Sequence, residues 1–394
     1  MDTLDTLVNM STGPVEVSQR VLRAQLHPFV SPHHADFWSL YDDLSEKLKR
    51  IVKTRNDPVI THGSIRTAMD VAIMNAVEPG DKVLVLSNGY WGDLFGSIVT
   101  MYGGTPVILR ETGRPLNVDK IEDLLKRERG FKAATCVHVE TNNGILNPID
   151  KISRLVKRHG LLFIVDTAMT AGCVDVRTDE WGIDFGITGS QKGLCALPGL
   201  GIVTVSEEGW KSMEARKTPL RAWYFNFRDW RKGMLTKPHG WKTGQPAFTL
   251  PSTLIYALHE ALTEILDTGM EIFFQQHEVA GKAFRAGLRA GGLELANQYE
   301  DASVSTVTAI LVPKELKETD IRKTLEAKYN IFIVGNIGEL AGKSVRIGLM
   351  SPPQVRRSQV IGTLFAILCT MRDLGAKVDI EAGMGKAAEI YGCH

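Results

Sequence analysis

Short apolar runs alternate with amphipathic segments between residue 58 and about residue 205. The runs are rich in Val and Ile, and the segments between them have the 3.6-residue period of a surface helix. This alternation is typical of stacked β-α-β units and predicts a mainly parallel sheet covered by helices. The strands are predicted at 82–86, 105–109, 133–139, 161–165, 185–188 and 201–205, and the helices at 67–77, 118–127 and 149–159.

After residue 205 the pattern loosens into a Trp-rich, basic stretch at 210–241, and it then resumes as a strongly amphipathic helix at 252–268. The rest of the chain mixes both periods, which predicts a small α+β domain. Its helices are predicted at 276–290, 318–329 and 354–374, and its strands at 305–312, 332–334 and 344–348. We therefore divide the chain into an N-terminal arm (1–25), a large domain (26–272) and a small C-terminal domain (273–394).

The charge balance argues against nucleic acid and membranes as partners. Forty-six Lys and Arg against 45 Asp and Glu leave a net charge of +1, and no stretch approaches the roughly 20 apolar residues of a membrane span. The five cysteines form no C-x-x-C pair, and the first ten residues lack the basic start of a secretory signal, so a cytoplasmic location is expected. No metal site is expected, because the adjacent His33 and His34 have no further ligands at helical spacing.

A lysine and an aspartate stand where strands of the predicted sheet end. Lys192 follows the 185–188 strand in the segment GSQKG (189–193), and Asp166 directly follows the 161–165 strand. Ligands of open α/β sheets bind at this carboxyl edge. A lysine with a lowered pKa can form a Schiff base there, and a carboxylate can keep a pyridine nitrogen protonated. Alone, such a lysine is more often a solvated surface residue, and Asp166 serves equally well as a helix N-cap.

Two further loops at the same edge offer groups for an anion and for a flat ring. The segment HGSIRT (62–67) opens the first predicted helix, where free backbone N–H groups, the Ser64 or Thr67 hydroxyl and the Arg66 cation favour a phosphate. Trp91, in the segment SNGYWG (87–92), can stack on a cofactor ring. The ordinary alternatives are a Gly-Ser helix entry and a core aromatic at a strand end.

Together these motifs resemble the class V aminotransferase family, in particular its alanine-glyoxylate, serine-glyoxylate and pyridoxamine-pyruvate branch. The resemblance covers nearly the whole chain, and it implies the pyridoxal phosphate (PLP) fold type I, an α/β fold. This is a mainly parallel seven-stranded sheet sandwiched by helices, with a smaller C-terminal α+β domain. The matching segments, in the order of the family, are STGPVEV (11–17), VHVETNNGILNP (137–148), Asp166, GSQK (189–192), Pro198-Gly199 and RIGLM (346–350).

The resemblance implies that the cofactor is pyridoxal 5'-phosphate, held by Lys192 as a Schiff base. Asp166 would pair with the pyridine nitrogen, Trp91 would stack on the ring, and Asn142 would approach the ring oxygen. Arg346 would clamp the substrate carboxylate, since a guanidinium fork binds a carboxylate through two parallel hydrogen bonds. The phosphate-binding residues would be Ser64, Ile65, Arg66 and Gln191, with Thr249 reaching across from the neighbouring subunit of a homodimer.

The implied reaction moves an amino group from a small amino acid, of the alanine or serine type, to a 2-oxo acid such as glyoxylate or pyruvate. It runs in two ping-pong halves through an aldimine and a ketimine, and Lys192 moves the α-proton. Small amino acid and 2-oxo acid substrates are therefore the expected partners.

Two departures from the family pattern keep other functions open. Asn142-Asn143 stands where the family usually has a Ser/Thr pair. The segment PAFT (246–249) stands where the glyoxylate enzymes commonly read Tyr-His-His-Thr, and it looks more like the pyridoxamine-pyruvate enzyme. The alternatives are a lyase or desulfurase on the same fold, a pyridoxamine-pyruvate aminotransferase, and a binding protein that kept the fold without catalysis.

Overall fold

The computed structural model describes residues 7–237, 239 and 248–392. The strands are β1 (Val8–Asn9), β2 (Val59–Gly63), β3 (Lys82–Ser87), β4 (Thr105–Arg110), β5 (Phe131–Val137), β6 (Val139–Glu140), β7 (Ile145–Leu146), β8 (Leu162–Asp166), β9 (Phe185–Gly189), β10 (Gly199–Val205), β11 (Val307–Leu311), β12 (Ile331–Phe332), β13 (Val334–Gly335) and β14 (Ser344–Gly348). The helices are α1 (Gln19–Ala24), α2 (Ala35–Val52), α3 (Ile65–Ala76), α4 (Tyr90–Met101), α5 (Val118–Arg127), α6 (Ile149–Arg158), α7 (Glu207–Glu214), α8 (Phe227–Trp230), α9 (Ser252–Thr268), α10 (Met270–Ala290), α11 (Glu318–Tyr329), α12 (Pro352–Val355), α13 (Arg357–Asp373) and α14 (Ile380–Ile390).

Seven strands form the central sheet in the order β2-β10-β9-β8-β5-β3-β4. The four pairings from β9 to β4 are parallel, whereas β10 runs antiparallel to both β9 and β2. Strands β8 and β9 are buried along their whole length, as expected of inner parallel strands with both faces covered. The predicted mainly parallel, seven-stranded sheet is confirmed.

Helices cover both faces of this sheet because successive side chains of a strand point in opposite directions. Val83 and Val85 of β3 pack in a cluster with residues of α2, α3 and α9. Leu84 and Leu86 of the same strand pack in a second cluster with residues of α5 and α6. The apolar run of β3 is therefore continuous rather than alternating, which is the sequence pattern that predicts a strand buried on both faces.

A second core lies under the three-stranded sheet β11-β14-β13, where α10, α13 and α14 pack. Strand β1 reaches this part of the molecule and pairs with β12. The predicted boundary between residues 272 and 273 falls inside α10, where Phe273 belongs to the first core and Phe284 to the second. The division into an arm and two domains stays a prediction. None of the described helices is long and apolar enough to cross a bilayer.

Among the helices, the sequence prediction missed α1, α2, α4, α7, α8 and α14, and it misplaced several ends of the others. Helix α10 begins six residues before the predicted start at 276, and the predicted strand 332–334 is split into β12 and β13. The predicted helix 354–374 is interrupted at Arg356, whose backbone is extended (φ −55°, ψ 130°). The described part of the stretch 210–241 contains the last five residues of α7 and the whole of α8.

Candidate active site

The carboxyl edge of the central sheet gathers the residues that the sequence singled out. Strand β8 ends at Asp166, and β9 ends three residues before Lys192. Helix α4 follows β3 and carries Trp91 in its first turn, and α3 follows β2 with Ser64 as its N-cap. Arg346 lies on β14 of the second sheet.

The Lys192 amine lies against the N-terminal segment of the chain. Its Nζ donates a hydrogen bond to the carbonyl oxygen of Thr12. Gly13 leaves room for the side chain, because a Cβ built there would lie 2.7 Å from Lys192 Nζ, and its backbone is left-handed (φ +110°). Burial, followed by the positive charge of Arg346, lowers the pKa of Lys192 to about 7; Arg66 adds to this shift and the Asp166 carboxylate opposes it.

Asp166 is a buried carboxylate at the end of β8. Burial raises its pKa to about 6, and two interactions work against that rise. One is a 2.8 Å hydrogen bond that its Oδ1 accepts from the backbone N–H of Ala168, and the other is the positive charge of Lys192. A cation that reached this carboxylate would add to them and favour the ionised form.

Arg346 is a buried guanidinium whose field reaches the Lys192 amine. Its Nε and Nη2 donate to the carbonyl oxygen of Gly335 at 3.1 and 3.0 Å, which fixes the orientation of the fork. Burial lowers the pKa of Arg346 to about 10, while the Glu140 carboxylate acts in the opposite direction. The guanidinium therefore stays charged at neutral pH.

The sequence analysis assigned no role to Glu140, which is fully buried between the elements of the site. Its Oε2 accepts from the backbone N–H groups of Trp91 (3.0 Å) and Gly92 (3.3 Å), and its Oε1 accepts from that of Asn142 (3.3 Å). Burial raises its pKa to about 7, although these three bonds lower it. The available signal was an acidic residue directly after an apolar run, inside the segment VHVETNN (137–143).

Several buried polar atoms at the site have no partner among the described residues. They are Trp91 Nε1, Asn142 Oδ1 and Gln191 Oε1. Buried polar groups are nearly always hydrogen-bonded, so three such atoms around one edge of the sheet fit a bound polar ligand. The amide nitrogen of Asn142 is already engaged, since it donates to the carbonyl oxygen of Ile337 at 2.7 Å. The Arg66 guanidinium lies 5.2 Å from the centre of the Trp91 ring.

The start of α3 lies against the edge formed by β9 and β10. Ile65 packs so closely on Gly189 that a Cβ there would lie 2.5 Å from Ile65 Cγ1, and a Cβ on Gly201 would lie 2.8 Å from the Ser64 carbonyl oxygen. The Ser64 N–H donates to Thr67 Oγ1 at 3.1 Å. The first-turn N–H groups of a helix have no intrahelical partners, so the exposed side of this turn offers donors to an anion.

Thr249 is not brought to these residues. It is exposed, and its neighbour Phe248 packs on Trp230 with ring centres 4.6 Å apart. Among the described residues, Thr249 forms no hydrogen bond with Lys192 or Arg66. Pro246 and Ala247 of the same predicted segment lie outside the described residues.

The chain is similar to known aminotransferases over almost its entire length. The family model "Aminotransferase class-V" matches residues 18–358. An uncharacterized aminotransferase of Methanocaldococcus jannaschii is 36% identical, with 97% of this chain and 96% of that protein covered. The pyridoxamine–pyruvate transaminase of Mesorhizobium japonicum is 29% identical, with 98% and 97% covered.

Among solved structures, the ureidoglycine-glyoxylate aminotransferase of Bacillus subtilis superposes with a TM-score of 0.90 at 28% sequence identity, covering 98% of both chains. The match of fold, of family model and of whole-length relatives agrees with the lysine, aspartate and arginine that converge at the sheet edge. The chain belongs to the class V aminotransferase family and is a pyridoxal-phosphate-dependent transaminase of fold type I.

Proposed function

We propose that this transaminase moves the amino group of a small amino acid, of the alanine or serine type, to a 2-oxo acid such as glyoxylate or pyruvate. The observation that carries the proposal is the buried Arg346 guanidinium, whose charge acts directly on the Lys192 amine. A substrate with a carboxylate next to its amine could bind Arg346 through the carboxylate. Its amine would then lie beside the aldehyde carbon of the cofactor, to which Lys192 would be bonded. Relatives named for pyruvate and glyoxylate acceptors support this substrate class.

In this proposal Lys192 is the Schiff-base lysine and the base that moves the α-proton of the substrate. With a pKa of about 7, close to half of such amines are neutral at pH 7, against about one in 2,500 for an ordinary lysine. The neutral amine is the form that attacks an aldehyde and the form that accepts a proton. Burial and the Arg346 charge thus prepare the lysine for both tasks.

The cofactor would be held from three directions. Asp166 would pair with the pyridine nitrogen, Trp91 would cover the ring, and Asn142 would lie beside the ring oxygen. The group supplies an aldehyde and an electron-withdrawing ring when it is bound. The phosphate would bind at the start of α3, through Ser64, Ile65 and Arg66, and beside Gln191.

The role of Asn142 depends on the orientation of its amide. Its nitrogen donates to the Ile337 carbonyl oxygen, which leaves the second hydrogen of that nitrogen and the unpaired Oδ1 for a ligand. In a role toward a ring oxygen, the remaining N–H is the donor and Oδ1 receives a donor from elsewhere. Asn142→Asp keeps the shape and replaces this donor by a charge, so we expect it to weaken cofactor binding.

We propose that the enzyme is a cytoplasmic homodimer in which Thr249 contacts the phosphate bound by the neighbouring subunit. Thr249 is exposed, and so are the large apolar side chains of Leu26 (83%) and Phe29 (73%), which a partner surface can cover. The four described cysteines are free thiols, which supports a reducing compartment. Analytical ultracentrifugation tests the dimer, and a monomer at micromolar concentration would contradict it.

The decisive experiment is the absorbance spectrum of the purified protein between about 300 and 500 nm, the range in which this cofactor absorbs. Alanine, serine and glutamate are added separately with no 2-oxo acid present. We expect one of the small amino acids to convert the visible band into the shorter-wavelength band of the aminated cofactor and so to name the donor. Absence of any band, in wild-type protein given excess cofactor, would refute the assignment of Lys192.

A second candidate is transamination between free pyridoxamine and pyruvate. The 29% identical relative bears that name, which is the observation that favours it. Arg66, in the first turn of α3, argues for a phosphorylated group instead, because a cation there binds a phosphate more strongly than a neutral hydroxymethyl. Purification without a visible band, together with formation of pyridoxal from pyridoxamine and pyruvate, would establish the second candidate over the first.

The structure argues against a desulfurase. Such an enzyme needs an exposed cysteine on a mobile loop to accept sulfur, whereas Cys136, Cys173, Cys195 and Cys369 are all buried. Cys393 lies outside the described residues. Release of sulfide from cysteine without an amino acceptor would reverse this conclusion.

A further inference from the structure

The Glu140 carboxylate joins two segments of the cofactor site that are far apart in sequence. One segment is the start of α4, where Oε2 accepts from the backbone N–H groups of Trp91 (3.0 Å) and Gly92 (3.3 Å). The other is the turn after β6, where Oε1 accepts from the N–H of Asn142 (3.3 Å). One planar group is therefore shared between the residue that would cover the ring and the residue that would lie beside the ring oxygen.

The start of α4 has the space that this carboxylate needs. Gly89, the N-cap of α4, has no side chain with which to cap the helix. A Cβ built on Gly89 would lie 2.5 Å from Glu140 Cγ and 2.6 Å from Glu140 Cδ, so a larger residue there would displace the carboxylate. The backbone of Gly89 is extended (φ 173°), which every residue type can adopt. It is the space occupied by Glu140, and not the backbone conformation, that requires glycine at this position.

Asn142 is held on its other sides by the loop between β13 and β14. Its carbonyl oxygen accepts from Asn336 Nδ2 at 2.6 Å, and its side-chain nitrogen donates to the Ile337 carbonyl oxygen at 2.7 Å. These two bonds tie Asn142 to the sheet that carries Arg346. The bond to Glu140 is the one that ties it to α4, and so to Trp91.

We propose that Glu140 is a positioning residue of this transaminase, which fixes Trp91 and Asn142 relative to each other and thereby sets the tilt of the bound cofactor ring. The inference rests on the roles proposed above for those two residues. Glu140 acts through its three backbone hydrogen bonds and does not itself touch the cofactor or the substrate. A carboxylate that is fully buried loses its hydration, and these bonds offset part of that cost.

The test is the ratio of visible circular dichroism to absorbance of the cofactor in the holoenzyme, because a ring held at one tilt gives a larger ratio than a loosely held ring. Glu140→Ala should lower this ratio and raise the dissociation constant of the cofactor by about tenfold or more, since it removes every acceptor. Glu140→Gln keeps an oxygen for Trp91 and Gly92 but turns an NH2 group toward the Asn142 N–H, so it should give an intermediate ratio. An unchanged ratio in Glu140→Ala would overturn the proposal.

A second variant displaces the carboxylate without altering it. Gly89→Ala places a methyl group in the space of the Glu140 side chain, so it should lower the ratio in the wild-type background. In the Glu140→Ala background that space is vacant, and the same change should have little effect. Gly362→Ala is the matched control, because a Cβ there meets nothing within 4 Å. Equal losses from Gly89→Ala in both backgrounds would refute the proposal, and so would an unchanged ratio in Gly89→Ala if Glu140→Ala does not fold.

Two further variants separate a failure of this inference from a failure of the proposed cofactor site. Trp91→Leu and Asn142→Ala remove the side chains that would contact the ring. If neither changes the ratio, the roles proposed for Trp91 and Asn142 are wrong, and this inference falls with them. If both lower the ratio while Glu140→Ala does not, those roles stand and only the positioning role of Glu140 is refuted.

Discussion

Replacing Glu140 by Gln tests whether the carboxylate beneath the site is held there at an energetic cost. The side chain is fully buried, and its pKa is raised from 4.5 to about 7, chiefly by burial. Glu140→Gln keeps the size and shape of the side chain but stays neutral at every pH. Its amide oxygen can still accept from the N–H groups of Trp91 and Gly92, so the start of α4 keeps its cap.

The magnitude follows from the linkage between protonation and folding. Because the folded state binds the Glu140 proton more tightly than the unfolded state, wild-type stability falls as the pH rises from about 4.5 to about 7 and is then level. For these two pKa values the fall between pH 5 and pH 8 is roughly 2 to 3 kcal/mol. Glu140→Gln does not have this contribution. Relative to wild type, its stability should therefore rise by roughly 2 to 3 kcal/mol between pH 5 and pH 8, and any pH-independent cost of placing the amide nitrogen beside the Asn142 N–H leaves this difference unchanged.

The assay is urea unfolding of both holoenzymes at pH 5 and pH 8 with the same excess of pyridoxal phosphate, followed by circular dichroism. The pH dependence of groups remote from residue 140 is common to the two proteins and cancels in the comparison. Asp184→Asn is the matched control: Asp184 is also buried (1%), but it is paired with Lys157 at 2.6 Å, so its loss should destabilise the protein at both pH values. A difference between Glu140→Gln and wild type that is the same at pH 5 and pH 8 would refute the reasoning.

Three further predictions concern the reacting groups. Lys192→Ala should lose transamination turnover by several orders of magnitude in a coupled assay, because it removes both the nucleophile and the proton carrier; full turnover would rule out the mechanism. Arg346→Lys should lower kcat/KM for the amino acid by roughly 10- to 100-fold, since a charged hydrogen bond of the fork contributes about 1.5–3 kcal/mol, and it should leave the rate with a simple primary amine unchanged. Gly13→Ala should diminish the visible cofactor band, because its Cβ would lie 2.7 Å from Lys192 Nζ on a left-handed backbone; an unchanged band would show that the segment can move aside.

Elements with a regular hydrophobic period could be read from the sequence. Helices α5, α9 and α11 have the predicted bounds, because each buries one stripe of an amphipathic pattern. Strand β14 also has the predicted bounds, although it is buried along its whole length. Helix α4 was missed because Gly92 and Gly96 lower its helix propensity. Gly92 is required by packing, because a Cβ there would lie 2.7 Å from Ser87 Cα; a Cβ on Gly96 would lie 3.3 Å from Ile108 Cδ1, the end of a partly exposed side chain. That reason is visible only after β3 and β4 are placed beside the helix.

Some residues of the site could likewise be predicted from the sequence, whereas others depend on contacts that only the fold creates. Asp166 and Lys192 could be predicted because the carboxyl ends of neighbouring strands meet at one edge, which is a consequence of topology alone. Glu140 could not be assigned a role from the sequence, because its role as a cap of α4 depends on which backbone N–H groups of that helix point at its carboxylate.

The N-terminal segment connects the two ends of the proposed substrate site, which no local pattern could show. Thr12 accepts a hydrogen bond from Lys192, at the end where the substrate amine reacts. Two residues earlier, the Met10 carbonyl oxygen accepts from the N–H of Gly348 at 2.8 Å, and Gly348 closes the strand that carries Arg346. The Gln354 amide donates to the carbonyl oxygens of Asn9 (2.9 Å) and Ser11 (3.0 Å) and holds the segment from the other side.

The segment 9–13 thus contacts the strand of Arg346 through a backbone hydrogen bond and Lys192 through a side-chain hydrogen bond. The acceptors of these bonds are backbone carbonyl oxygens, which every residue type carries. The sequence therefore predicts Lys192 and Arg346 individually and not the connection between them.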